Sequence, residues 1–299
     1  MYHHVRTDLA VEARKLCQDI QGVESLPGVH AEEQSRYGFS ITTVDILDER
    51  GVEAIGKPCG TYITIDLEGL IHREQNSFAN AASLLSEFIH NLINFDTNDS
   101  FLIAGLGNRG ITPDAIGPET VDHILVTRHL KERLPDDFAD FRPVSAICSG
   151  VLGTTGIESG DLIRSVVEML RPSTVIAVDA LASLGTERLC RTVQIADTGI
   201  VPGSGVGNAR KALNQNTLNV PVIAIGVPTV VDAATLTMDL AQRSGITLDP
   251  SGFGDVGSMI VTPRDIDKYV RDISKLIGYS INLALHENLS ISDIDMLLS

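Results

Sequence analysis

The stretch Phe101 to Pro118, FLIAGLGNRGITPDAIGP, does most to limit what this chain can fold into. An apolar run ends in a glycine-rich turn, and an aspartate follows between a proline and an alanine. A second apolar run, TVIAVDALAS (Thr174 to Ser183), also carries an aspartate near its end. Short, near-continuous apolar runs of this kind read as strands covered on both faces. In an α/β chain the carboxyl ends of such strands open onto one crevice, so Asp114 and Asp179 can meet although about sixty residues separate them. Two carboxylates facing one water can hydrolyse an amide without a metal.

The flanking pattern supports that architecture. Leu9 to Gln18 reads as a short helix. Phe39 to Ile46 and Tyr62 to Glu68 alternate apolar and polar residues, which predicts a hairpin-like excursion within residues 37–72. Phe78 to Phe95 has helical spacing. Beyond Phe101, strands are expected at Val144–Cys148, Thr174–Val178, Val193–Ala196 and Val222–Ile225. Helices are expected at Pro118–Leu130, Ser159–Leu170 and Val230–Arg243. Thr262-Pro263-Arg264-Asp265 reads as the capped start of a long helix with a stripe at Ile266, Val270, Ile273, Ile277, Ile281 and Leu285. Strand-helix alternation predicts an α/β fold, a doubly wound and mostly parallel sheet in three layers, over residues 9–299 as one domain. Gly245 to Gly257 reads as a mobile loop.

With 299 residues, 43% of them hydrophobic, the chain can bury a sizeable core. It has no tryptophan and only 4% aromatics, so stacking platforms for single-stranded nucleic acid are scarce. A net charge of −16 repels phosphate backbones and argues against direct nucleic-acid binding. Cys17, Cys59, Cys148 and Cys190 have no metal-ligand spacing and read as free thiols in a reducing cytoplasm. No secretory h-region and no membrane-spanning run is expected.

Several motifs compete for function. Gly105-Leu-Gly-Asn-Arg-Gly110 matches GxGxxG, but Pro113 and Pro118 delay the helix that a dinucleotide fingerprint would open on its glycines. The expected role of Gly105, Gly107, Asn108 and Arg109 is instead to line a substrate, with Arg109 the first choice for reading an acidic substrate residue. Arg128 and Arg188 are the other candidates. Asp114 can alternatively cap a helix near Pro118, and Asp179 can alternatively bond neighbouring backbone N–H groups. Mutual repulsion would split the two pKa values. Asp197-Thr-Gly-Ile-Val-Pro-Gly-Ser-Gly-Val-Gly-Asn208 is a second glycine loop; Asp197, Gly203 and Gly205 are candidates for a peptide-binding rim, against a plain tight turn. Glu158 reads as a helix cap, with a cleft role the lesser option. His3-His4 lies at the start of the chain, and His123 and His129 point to different helix faces, so no zinc site is expected. No GxSxG-type nucleophile turn is present.

At these residues the chain resembles the germination protease family. The matching blocks include RTDLAVEA (Arg6 to Ala13), TPDAIGP (Thr112 to Pro118), TGIES (Thr155 to Ser159), VIAVDALAS (Val175 to Ser183), IADTGIVPGSGVGN (Ile195 to Asn208) and VPVIAIGVPTVVDA (Val220 to Ala233). Val201 departs from the family pattern, which has a histidine there. The resemblance implies an atypical aspartic endopeptidase with a hydrogenase-maturation-protease-like fold. It implies that Asp114 and Asp179 are catalytic, that no cofactor is needed, and that small acid-soluble spore proteins are the substrates in the spore core. It also implies a homotetramer made as a zymogen that cleaves itself. Asp8-Leu9-Ala10-Val11-Glu12 is similar to a family cleavage site, so cleavage is expected between Asp8 and Leu9, with residues 1–8 as the propeptide. Two other readings stay open: a metal-dependent maturation-type protease on the same fold, and a non-catalytic module binding a peptide or small molecule.

Overall fold

The apolar runs assemble one mixed sheet in the computed structural model, which describes residues 7–71, 76–96, 99–246, 248 and 259–299. The amino-terminal part comprises α1 (Ala10–Gln21), β1 (Val29–Arg36), β2 (Phe39–Ile46), α2 (Glu49–Ile55), β3 (Gly60–Asp66), α3 (Glu68–Ile71) and α4 (Ser77–Leu92). The centre runs through β4 (Phe101–Leu106), α5 (Ile116–Val121), α6 (Arg128–Arg133), β5 (Val144–Gly150), α7 (Leu152–Thr155), α8 (Ser159–Leu170) and β6 (Thr174–Ser183). It continues through β7 (Thr192–Ala196), α9 (Gln215–Leu218), β8 (Val222–Asp232) and α10 (Ala233–Arg243), and ends with β9 (Ile260–Val261), α11 (Ile266–Leu285) and α12 (Ile291–Leu298).

The strand order is β1-β2-β3-β7-β8-β6-β4-β5, with β9 paired to β8. Strands β5, β4, β6 and β8 run parallel, whereas β7, β3, β2 and β1 add an antiparallel wing. The composition explains the division. Every residue of β4 and β8 is buried, as a strand with helices on both faces requires, while β2 buries Phe39, Ile41, Val44 and Ile46 and leaves the polar positions between them partly or fully exposed. Leu84, Leu85 and Ile89 of α4, Ile116 of α5, and Ile273 and Ile277 of α11 cover one face, against Ile103, Ile176 and Ile225. Ile163 and Val167 of α8 with Leu218 of α9 cover the other, against Leu102, Ala104, Val175 and Val222. The fold is therefore the expected three-layer α/β class.

Topology then locates a crevice. The helix that follows β4 lies on one face, and the helix that follows β5 lies on the other. The connection from β4 runs to β5 on one side and that from β6 runs toward β7 and β8 on the other, so the sheet's switch point falls between the carboxyl ends of β4 and β6, where ligands bind in open α/β sheets.

Some boundaries differ from the sequence reading. The hairpin is β1–β2, closed by Tyr37 and Gly38 at φ 52° and 83°, the geometry a two-residue turn of the primed type needs. β3 returns after α2 and carries the wing into the main sheet through β7. Val230 to Asp232 continue β8 instead of starting a helix, because β6 still pairs with Val230 and Val231 and β9 pairs with Asp232. The expected helix Pro118–Leu130 divides into the short α5 and α6. Thr262 does not cap α11: its hydroxyl donates to Thr229 O (2.8 Å), and the helix starts at Ile266, with its predicted stripe buried. The loop expected at Gly245–Gly257 and the pair His3-His4 lie largely or wholly outside the described residues.

Two glycines set the spacing around the crevice. A Cβ on Gly105 would stand 2.4 Å from Gly117 O, and one on Gly117 would stand 2.3 Å from Leu106 O and 2.5 Å from Val178 O. Helix α5 thus touches β4 and β6 backbone to backbone. Gly117→Ala is expected to destabilise the fold by about 3 kcal/mol or more, since backbone has no soft way to yield. Gly153→Ala in α7, where a Cβ meets nothing within 4 Å, is expected to be neutral or slightly stabilising. Urea unfolding of the two variants checks the contrast; equal midpoints would contradict it.

Candidate active site

Asp179 is the first residue of β6 beyond its pairing with β4. That ladder ends at Gly105 and Val178, while β6 stays paired to β8. The strand thus carries Asp179 into the crevice, 5% exposed. Asp114 arrives by a turn. The chain leaves β4 through Gly107 at φ +105°, and a 3₁₀ turn over Thr112–Asp114 folds back so that the Asn108 N–H donates to both Asp114 O and Oδ2 at 2.9 Å. A Cβ on Gly107 would fall 2.1 Å from Asp114 O, so only glycine permits this return. Thr229 of β8 pins the turn by donating its hydroxyl to Pro113 O at 2.6 Å.

Both carboxyl groups line one cavity of about 370 Å³. Burial pushes Asp114 up to about 6, and the Asn108 N–H partly opposes that rise. Burial pushes Asp179 well above the carboxylate range; the charge of Asp114 adds to the rise, and the bond from its own neighbour Ala180 N–H opposes it. The two acids therefore part in role. Asp179 holds its proton more tightly than Asp114 does.

The same cavity contains Asp8. Its N–H donates to Ala182 O (2.9 Å), and its carboxylate accepts from Ala182 N–H (2.9 Å) and from the Ser204 hydroxyl (2.5 Å). Gln194 of β7 brackets the following bond: Nε2 donates to Asp8 O (3.2 Å), and Oε1 accepts from Ala10 N–H (2.8 Å). Leu9 is fully buried against Leu181 and Val11. Glu12 anchors the start of α1, accepting from the Thr7 hydroxyl (2.5 Å) and Leu184 N–H (2.7 Å) beside Arg188 (3.7 Å).

The sequence candidates divide accordingly. Asp114, Asp179, Gly107, Asn108, Gly203 and Gly205 line the cavity. Gly105 does not; it is the contact point for α5. Arg109 does not face the acids either, because its guanidinium is held by Asp122 (2.6 and 2.9 Å) and Pro118 O (2.7 Å). Arg128 is turned to Glu132 and Leu170 O. Asp197 accepts from Thr61 N–H (2.8 Å) and ties the loop after β7 to β3, so it is a structural link outside the rim. Glu158 makes no side-chain cap bond; it lines the cavity and pairs with Arg210 at 3.3 Å. Sequence reasoning missed Ala182, Gln194, Ser204 and Thr229. Gln194 and Thr229 had one signal, a polar side chain inside an apolar strand run. Among the described residues, no cluster of three His, Cys, Asp or Glu side chains is arranged to hold a metal ion, and no helix is long and apolar enough to cross a membrane.

Comparison with known proteins agrees with the block pattern. The germination protease family profile matches residues 7–243. Germination proteases of Clostridium perfringens and Caldanaerobacter subterraneus are 42% and 43% identical, over 99% and 98% of this chain and 100% and 98% of theirs. That of Bacillus subtilis is 37% identical over 96% of this chain and 94% of its own length. Among solved structures, a NiFe hydrogenase maturation protease from Thermococcus kodakarensis aligns with a TM-score of 0.36 and 16% identity, over 65% of this chain and 98% of that one.

The elevated pKa of Asp114 has a stability consequence. The folded state binds the proton more tightly than the unfolded chain does. The group's stabilising contribution is therefore complete below about pH 4 and is lost as pH rises through about 6. Above that, the buried charge costs about 3 kcal/mol. Asp114→Asn is expected to raise the melting temperature at pH 8 and to change it little at pH 4. Calorimetry at the two pH values checks this; an equal effect at both would contradict it.

Proposed function

This chain belongs to the germination protease family, and on that premise we propose that it is an aspartate-dyad endopeptidase acting on small acid-soluble spore proteins in the spore core. In this reading the chain is made as a zymogen, frees residues 1–8 by cutting between Asp8 and Leu9, and works as a homotetramer without a cofactor. The observation that carries the reading is the pair of acids at the switch point, sharing one cavity, both pushed up by burial and Asp179 further by the charge of Asp114.

The chemistry follows from those states. Asp179, protonated, donates a hydrogen bond to the carbonyl oxygen of the bond to be cut. Asp114, ionised, takes a proton from a water between them, and that water attacks the carbonyl carbon. The tetrahedral intermediate collapses when the proton on Asp114 passes to the leaving nitrogen. The surrounding apolar walls keep the dyad poorly solvated, which keeps both pKa values high. The Asp8–Leu9 segment supports the self-cleavage part, because Asp8 lines the same cavity as both acids.

Asp114→Asn and Asp179→Asn are each expected to cut a spore-protein substrate about a thousandfold more slowly while keeping a native circular dichroism spectrum. Mass spectrometry is expected to find residues 1–8 missing from aged wild-type protein and retained in both variants. The rate for the wild type should fall as pH drops through about 6, where Asp114 gains its proton. Wild-type rates in either single variant would remove the dyad from the mechanism.

A further inference from the structure

Gln194 is a polar side chain inside an apolar strand. It sits in the middle of β7, opposite Thr64 of β3 and Gly226 of β8. Its neighbours Val193 and Ile195 belong to the main core, and Gln194 itself is 8% exposed. An amide buried this deeply needs hydrogen-bond partners. Among the described residues, its side chain finds them only in the amino-terminal segment: Oε1 accepts from Ala10 N–H (2.8 Å), and Nε2 donates to Asp8 O (3.2 Å). Thr64, directly opposite, leaves its own hydroxyl unpaired and so gives the amide nothing.

The two bonds also fix which end of the amide points where. A backbone N–H needs an acceptor and a carbonyl needs a donor, so Ala10 holds Oε1 and leaves the NH₂ group facing the carbonyl that precedes Leu9. Leu9 between them is extended, at φ −85° and ψ 126°, with its side chain buried against Leu181. Gly226 makes room for that packing, since a Cβ there would stand 2.3 Å from Leu181 Cδ1. Asp8 lines the cavity of the two acids and also a second cavity of about 410 Å³, which Gln194 lines.

We propose that Gln194 is a further catalytic residue of self-cleavage: its Nε2–H donates to the carbonyl oxygen of the Asp8–Leu9 bond and stabilises the negative charge that this oxygen gains when water attacks. The assignment rests on the proposed dyad and on cleavage after Asp8. A carbonyl oxygen has two lone pairs; Asp179 uses one in the mechanism above, and Gln194 uses the other. The contact strengthens as charge develops, because hydrogen bonds to a charged acceptor are about twice as strong as neutral ones. The donor is in place beforehand, on a strand paired on both sides, so little reorganisation is needed. The amide keeps its hydrogens throughout. The hydroxyl of the water ends on the new Asp8 carboxyl group, and the proton taken by Asp114 passes to the Leu9 nitrogen as the bond breaks.

The test follows the first-order loss of residues 1–8 from the full chain by mass spectrometry. Gln194→Leu, which removes both bonds at similar volume, is expected to slow the cut about a hundredfold while keeping a native circular dichroism spectrum. Gln194→Glu has a donor only when its carboxyl is protonated. Its rate relative to wild type is therefore expected to rise as pH falls, whereas the relative rate of Gln194→Leu stays flat. A Leu variant that cuts within about threefold of wild type overturns the assignment. So do equal, pH-independent losses in the Leu and Glu variants, the result for a residue that only supports the fold. Asp114→Asn run beside these separates the two readings. If it cuts at the full rate, the dyad fails whatever Gln194 does; if it stays uncut while Gln194→Leu cuts normally, only the role of Gln194 fails.

Discussion

Everything in this molecule is arranged around one unfavourable act, the burial of two carboxyl groups at the end of β6. Asp179 follows four fully buried apolar residues in a strand, where an unpaired charge is expensive. Among the described residues no cation pairs with it. Instead burial and the charge of the neighbouring Asp114 raise Asp179 well above the carboxylate range, while an Asn108 N–H donates to Asp114 and opposes its rise. Burying both acids lowers stability, and acids perturbed in this way concentrate at functional sites.

Glycine is what lets the backbone reach that state. Gly105 and Gly117 bring α5 into contact with the sheet, which fixes where the turn carrying Asp114 can lie. Gly107 lets the chain double back onto Asp114, and Thr229 locks the turn from β8. The match to a dinucleotide fingerprint is thus a coincidence of spacing. The glycines serve close approach within the protein itself, and no helix opens on them.

The amino terminus shows how a cleft and its own chain can be matched. Asp8, Leu9 and Ala10 are fixed by Ala182, Ser204 and Gln194, residues from three separate parts of the sequence. Glu12 and Arg188 then tie α1 to the loop after β6. The segment has its polar groups satisfied and its apolar side chain buried, so it is part of the folded structure and not a loose tail.

The sequence alone determined the fold class and singled out the two acids that the fold brings into one cavity. Apolar strand runs and helical stripes are local periodicities, and a charged residue ending a buried run is conspicuous wherever the chain goes. It also determined the α11 stripe and, through long ordered blocks, the family. What it could not determine was partnership. Arg109 is near Asp114 in sequence yet is taken by Asp122, and Asp197 is taken by Thr61 across the sheet. Ser204 and Ala182, unremarkable in any local window, meet Asp8 across more than half of the chain. Only the tertiary structure decides such matters, because a side chain's role depends on which distant groups the topology delivers to it, and hydrogen bonds leave no periodic trace in the residues that make them.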